Sequence, residues 1–226
     1  MFYLFLLAHL VADFMLQPYW LVQRKRHWSG LAIHCGIVLG CMALLPVVDP
    51  AAFALWPGML LITLLHYGAD WGKVHHGQYI PGPPIVPFLV DQCIHLATLG
   101  AVLSVMIPTE QLWTLHGSPV SHMAIIGSVY VVATFAAPIA VMVWLDPRFD
   151  YLALAGRARI RSFIAGCGIV SLMLCSAALA LPAAALGLAF ATHRPRSAHP
   201  LDAPFGMIVV VTIAAILGAV LRVLLG

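Results

Sequence analysis

Three of the eight acidic residues lie in strongly apolar segments, and each stands four residues from a histidine: His9/Asp13, His66/Asp70 and Asp91/His95. A further histidine, His34, sits on the remaining apolar segment of the first half. Ionisable groups are costly in hydrocarbon, so within a membrane they face a bundle interior and carry function. Residues four apart share one helix face, one turn apart, so each pair can aim both groups at one point. Gln17 extends the first row to His9, Asp13 and Gln17. Imidazole and carboxylate without thiolate suit zinc, iron or manganese rather than Cu(I) or an iron–sulfur cluster. The expected cofactor is therefore a divalent metal, zinc first and iron or manganese as alternatives. Seven candidate ligands (His9, Asp13, His34, His66, Asp70, Asp91 and His95) exceed the four of one tetrahedral zinc. Two metals fit that number, and so does one metal with outer carboxylates orienting the histidines. An ion-pair network without metal is one alternative. Haem on axial histidines is another, although it leaves three carboxylates without a role.

The elements that must position these groups are transmembrane helices. The 226 residues are 62% hydrophobic and 8% charged, where a soluble domain carries about 25% charged residues. A membrane span needs about 20 mainly apolar residues. Hydropathy predicts an all-α, polytopic bundle of about seven spans, near residues 1–18, 31–48, 55–73, 85–107, 123–145, 162–190 and 205–224. Pro46, Asp49, Pro50 and Pro57, the run 81–84, Pro108 and Asp146-Pro147 punctuate the spans, and Pro182 is expected to kink or end the sixth. No cleaved signal peptide is expected, because the first residues run directly into span 1. The five cysteines (Cys35, Cys41, Cys93, Cys167 and Cys175) lie in apolar segments without C-x-x-C spacing and read as small packing residues.

Lysine and arginine in short loops set orientation. Arg24, Lys25, Arg26, Lys73, Arg148, Arg157, Arg159, Arg161 and Arg222 fall on one side of a seven-span chain, and Arg194 and Arg196 on the other. The expectation is a bacterial inner-membrane protein with its N-terminus outside and its C-terminus cytoplasmic. In this topology the seven polar residues share a slab of about 10 Å in the cytoplasmic leaflet, counting 1.5 Å per residue. Trp20, Trp28, Trp56, Trp71 and Trp144 suit interfacial anchoring. His75 and His76 read as solvated loop residues, His27 beside Arg24, Lys25 and Arg26 reads as headgroup-level charge, and His116, His122, His193 and His199 fall on the far side. Ser104, Ser171 and Ser176 show no nucleophile–base pattern.

The segment around His9 and Asp13 repeats 57 residues later around His66 and Asp70, with leucine, alanine and a following aromatic in register, and His34 then aligns with Asp91. The first four spans thus read as two parallel-repeated helical hairpins. This divides the chain into a four-helix unit, 1–107, and a C-terminal three-helix region, 108–226.

His9-x3-Asp13-Phe14-x2-Gln17, His34, His66-x3-Asp70 with Lys73, and Asp91-Gln92-x2-His95 together resemble the bacterial membrane family known as domain of unknown function 3307. The resemblance spans about residues 1–107. It implies a shared polar site at His9, Asp13, Gln17, His34, His66, Asp70, Asp91 and His95 and names no reaction. In style rather than alignment, the constellation is also similar to membrane-embedded metal-dependent hydrolases such as ceramidase-like proteins.

Three functions fit these residues. The first is a metal-dependent hydrolase of a lipid or lipid-linked substrate, the metal polarising water and an aspartate or histidine serving as base. The second is a cation or proton-coupled transporter. The third is a non-catalytic subunit of a larger membrane complex, its small C-terminal residues packing against partners. The expected partners are membrane lipids and such a complex, with no nucleic acid.

Overall fold

The computed structural model describes residues 1–115, 118–145, 157–175, 186–187 and 199–225. All secondary structure among the described residues is helical. Among the described residues, six helices are long and apolar enough to cross a membrane: Trp28–Val48, Pro50–Tyr79, Ile85–Met106, Pro119–Leu145, Ala158–Cys175 and Pro204–Leu225. The first expected span is helical too, but Phe2–Met15 is shorter. It begins as α1 (Phe2–Leu10) and widens into a π turn over Val11–Met15. Pro18, in extended conformation, then breaks it. Asp146-Pro147, Arg148, Gly156, Pro182, His116, His193, Arg194, Arg196 and Ser176 lie outside the described residues.

The chain forms two compact units, Met1–Ser128 and Val129–Gly226. In the first, α2 (Tyr19–Arg24) leads into α3 (Trp28–Ala43) and the short α4 (Leu45–Val48); a 3-10 turn (Pro50–Leu55) then enters α5 (Trp56–His76). After α6 (Ile85–Met106) come α7 (Thr109–Leu112) and α8 (Pro119–Val131). Each long helix buries one stripe at three- and four-residue spacing. On α5 the stripe is Met59, Ile62, His66 and Asp70; on α6 it is Asp91, His95, Leu99 and Val102; on α3 it is Leu31, His34, Val38 and Met42. Each stripe is thus apolar over one part of its length and polar over another. The outward faces are apolar, with Val47, Leu64 and Val105 exposed. This inverts the pattern of a soluble helix, because lipid rather than water covers the outside. Phe5, Met42, Leu99 and Leu103 fill the apolar layer.

α5 runs three residues past the predicted end at 73, because no breaker intervenes before Gly77. Lys73, His75 and His76 therefore ride its last turn instead of a loop. Gly30 has a packing role: a β-carbon there would collide with the Arg24 carbonyl, so its absence lets the end of α2 rest on α3.

The second unit contains α9 (Ala137–Leu145), preceded by a π turn at Val132–Ala136, with α10 (Arg157–Cys175) and α11 (Pro204–Leu225). Its core joins Ala133, Ile169, Val170 and Ala214. Gly218 allows α11 to approach Met173. Arg161 pairs with buried Asp202, and Tyr130 and Ser171 share a 2.6 Å hydrogen bond. Arg161, expected as a boundary charge, thus also ties α10 to the chain entering α11.

Candidate metal centre

The four apolar segments of the first unit place all seven expected residues in one cluster. His9 comes from α1 and Asp13 from the π turn. α3 supplies His34, α5 supplies His66 and Asp70, and α6 supplies Asp91 and His95. Each is at most 9% exposed. The imidazole rings nest together: His66 and His95 stack at 4.0 Å between centroids, and the His34–His66, His9–His95 and His9–His66 separations are 5.1, 5.2 and 5.5 Å.

The contacts are made by ring Nε2 atoms and carboxylate oxygens. His34 Nε2 lies 3.0 Å from His66 Nε2, 3.2 Å from Asp13 Oδ1 and 3.4 Å from Asp70 Oδ2. His66 Nε2 lies 3.5 Å from Asp13 Oδ1 and 3.6 Å from Asp70 Oδ2. On the other side, His95 Nε2 is 3.3 Å from Asp91 Oδ1 and 3.6 Å from Asp70 Oδ1, and His9 Nε2 is 3.7 Å from Asp13 Oδ2. Asp70 therefore turns one oxygen to each side. Three overlapping triads have ligand atoms close enough to hold an ion: His9/Asp13/His66, His34/His66/Asp70 and Asp70/Asp91/His95.

Five buried atoms of these side chains make no hydrogen bond, His34 Nδ1 and four that face other ligand atoms of the cluster: His9 Nε2, Asp13 Oδ1, Asp91 Oδ1 and His95 Nε2. Buried polar atoms without partners are rare and costly. Aimed inward from three helical elements, those four match what ligands of an ion or of bound water would leave open.

Two lysines enter the cluster: Lys25, expected only as a topology charge, and Lys73, which also stands in the family pattern beside Asp70. Lys25, buried at the end of α2, donates to Asp70 Oδ2 at 2.8 Å, and Lys73 donates to Asp91 Oδ2 at 2.7 Å. Lys73 also passes over the Phe88 ring at 5.4 Å, and Gln92 adds a 3.1 Å hydrogen bond to the same Asp91 oxygen. The Gln17 amide, turned to satisfy both its ends, donates to the Asp13 carbonyl at 2.9 Å and accepts from Lys25 Nζ at 3.2 Å. Lys73 was legible in principle, three residues from Asp70 on one helix face. Lys25 carried no such signal, since α2 and the turn after it bring it in.

Among the described residues, His75, His76 and His199 make their contacts outside the cluster. His75 is exposed, donates from Nδ1 to the Trp71 carbonyl at 2.9 Å and stacks on the Trp71 ring at 4.8 Å. His76 packs on Trp71 and Tyr79. His199 contacts the backbone of Leu201 in the second unit. The five cysteines are free thiols.

These features define a helical membrane protein whose first unit buries histidines and aspartates able to hold a metal ion. The chain belongs to the family described as protein of unknown function (DUF3307), whose model matches residues 1–124 and so takes in every residue of the cluster. No curated protein and no solved structure matches the chain.

Proposed function

We propose that the cluster holds a divalent metal ion and that the protein is a membrane-embedded, metal-dependent hydrolase of a lipid or lipid-linked substrate. One observation carries the metal. Five separations among His34 Nε2, His66 Nε2, Asp13 Oδ1 and Asp70 Oδ2 fall between 3.0 and 3.6 Å. Atoms bound to one ion at about 2.0–2.2 Å lie about 3 Å apart or slightly more. One ion between them would hold two imidazole nitrogens and two carboxylate oxygens at such separations.

In this reading His34, His66, Asp13 and Asp70 hold the ion, which would act as a Lewis acid and lower the pKa of water. His95 and Asp91, on the far side of Asp70, would serve as the base for such a water, and His9 would orient it. Gln17, Lys25 and Lys73 hold the carboxylates in place. The apolar outer faces of α3, α5 and α6 support a substrate arriving from lipid. Duplicated hairpins also fit, because Asp13 and Asp70 reach the same histidine, His34, from corresponding places in the two copies. The basic residues Arg24 and Arg26 beside the cluster support its placement in the cytoplasmic leaflet of a bacterial inner membrane.

The test begins with elemental analysis of detergent-purified protein beside a His66→Ala/Asp70→Ala variant, followed by hydrolysis assays on a lipid panel. Stoichiometric zinc, iron or manganese that disappears in the variant supports the metal; release of a lipid product by the loaded protein alone supports the hydrolase. Metal-driven uptake into vesicles would instead favour a transporter, and stoichiometric co-purifying subunits without turnover would favour a complex subunit. The apolar part of each buried stripe (Met59 and Ile62 on α5, Leu99 and Val102 on α6) argues against a polar route through the first unit.

A further inference from the structure

Asp70, Asp91 and His95 form a second group able to hold a cation, beside the one built on His34 and His66. Asp70 presents a separate oxygen to each, the arrangement of a carboxylate bridging two ions. Two-metal hydrolytic sites place their ions about 3.5–4 Å apart. A cluster of seven ligand-type side chains therefore poses a choice between one ion and two, and that choice decides the class of chemistry.

A cation already stands at the second group. Lys73 Nζ contacts Asp91 Oδ2 at 2.7 Å, on a carboxylate only 3% exposed at its side chain. Its stem runs from the last turn of α5, and its ammonium group also lies over the Phe88 ring, which favours a fixed positive charge there. Gln92 braces the same oxygen. Only Asp91 Oδ1 is left to face His95. At the first group Lys25 also meets a carboxylate, Asp70 Oδ2 at 2.8 Å, one of the four atoms assigned to the ion, but Asp13 has no lysine within ion-pair distance among the described residues and faces both His34 and His66.

We infer that Lys73 is the resident cation of the Asp70–Asp91–His95 group, so that the cluster takes one divalent ion, at the His34–His66 end. This rests on the metal reading above and deepens it: the site belongs to the single-ion class, with Asp91 and His95 free to handle a proton. The same geometry assigns Lys73 a positioning role, holding Asp91 so that its second oxygen faces His95.

The experiment is a Zn2+ titration of the chelator-stripped, full-length protein in detergent, counting bound zinc at saturation. The expected result is one zinc for the wild type, two for Lys73→Met or Lys73→Gln, and one for Lys73→Arg, which restores the charge. Lys73→Gln keeps a donor to Asp91 and serves where Lys73→Met does not fold. Two zinc ions on the wild type, or one on a folded neutral variant, overturns the inference while leaving the metal reading intact. No zinc on the folded wild type overturns the metal reading itself. Were neither neutral variant to fold, the wild-type count decides: one ion supports the inference and two overturn it.

Discussion

Lys25 Nζ lies 2.8 Å from Asp70 Oδ2, a buried pair that links residues 45 positions apart. Neither side chain reaches the other by helical periodicity. Pro18 turns the chain out of the first helix, α2 carries it back, and Gly30 lets the end of α2 lie against α3. The ammonium group then arrives beside Gln17 and above the histidines. Breaking such a buried pair leaves an uncompensated charge, which costs about 3–5 kcal/mol. Lys25→Met is expected to lower thermal stability in detergent by that order. In chelator-stripped protein, Lys25→Met/Asp70→Asn is expected to recover most of the loss, and a double-mutant cycle from melting curves checks the coupling.

Gly30 and Gly36 lie on the same helix and make opposite predictions. A β-carbon at Gly30 meets the Arg24 carbonyl, whereas one at Gly36 meets nothing within 4 Å. Gly30→Ala should cost about 1–3 kcal/mol, the range for overpacking, and shift Lys25 off Asp70. Gly36→Ala should be neutral or stabilising by about 0.5–1 kcal/mol, since it only restricts the backbone. Thermal melts of the two variants in one detergent compare them directly.

Metal content separates ligands from bystanders. His34→Ala and His66→Ala should each lower bound metal at least about tenfold, the minimum expected when even an outer partner of a site is removed. His75→Ala and His76→Ala, on the exposed last turn of α5, should leave it unchanged. Equal loss in all four would place the metal elsewhere.

Metal should also stabilise the fold. A ligand that binds only the native state at 100 times its dissociation constant adds about 2.7 kcal/mol. Chelation should therefore lower the melting temperature of the wild type and have little effect on a His34→Ala/His66→Ala variant. A shift of the same size in both would mean the chelator acts on detergent or lipid.

Proton handling is assigned to the far side of Asp70. Asp91→Asn should keep the metal and lower turnover about 10²–10⁴-fold, the usual contribution of a positioned base. The check is metal analysis and lipid-product release on the same preparation. Loss of both together would make Asp91 a ligand instead.

The helices and the seven clustered residues were legible because both follow short-range rules. Hydropathy marks a span within a window of about 20 residues, and a four-residue spacing puts His66 beside Asp70, or Asp91 beside His95, whatever surrounds them. The exact course of the first span was not legible, since its π turn at Val11–Met15 adds a residue to one turn and is recorded by no residue type. Nor was the fate of the basic residues. Lys25 and Arg24 are neighbours in a basic run and look alike as topology signals, yet one is buried against Asp70. Which imidazole faces which carboxylate oxygen, and which lysine neutralises which aspartate, depend on separations of 3 to 4 Å between helices. Those separations follow from how Gly30, Phe5, Leu99 and Leu103 let the helices pack, and packing is a property of the assembled chain that no local pattern encodes.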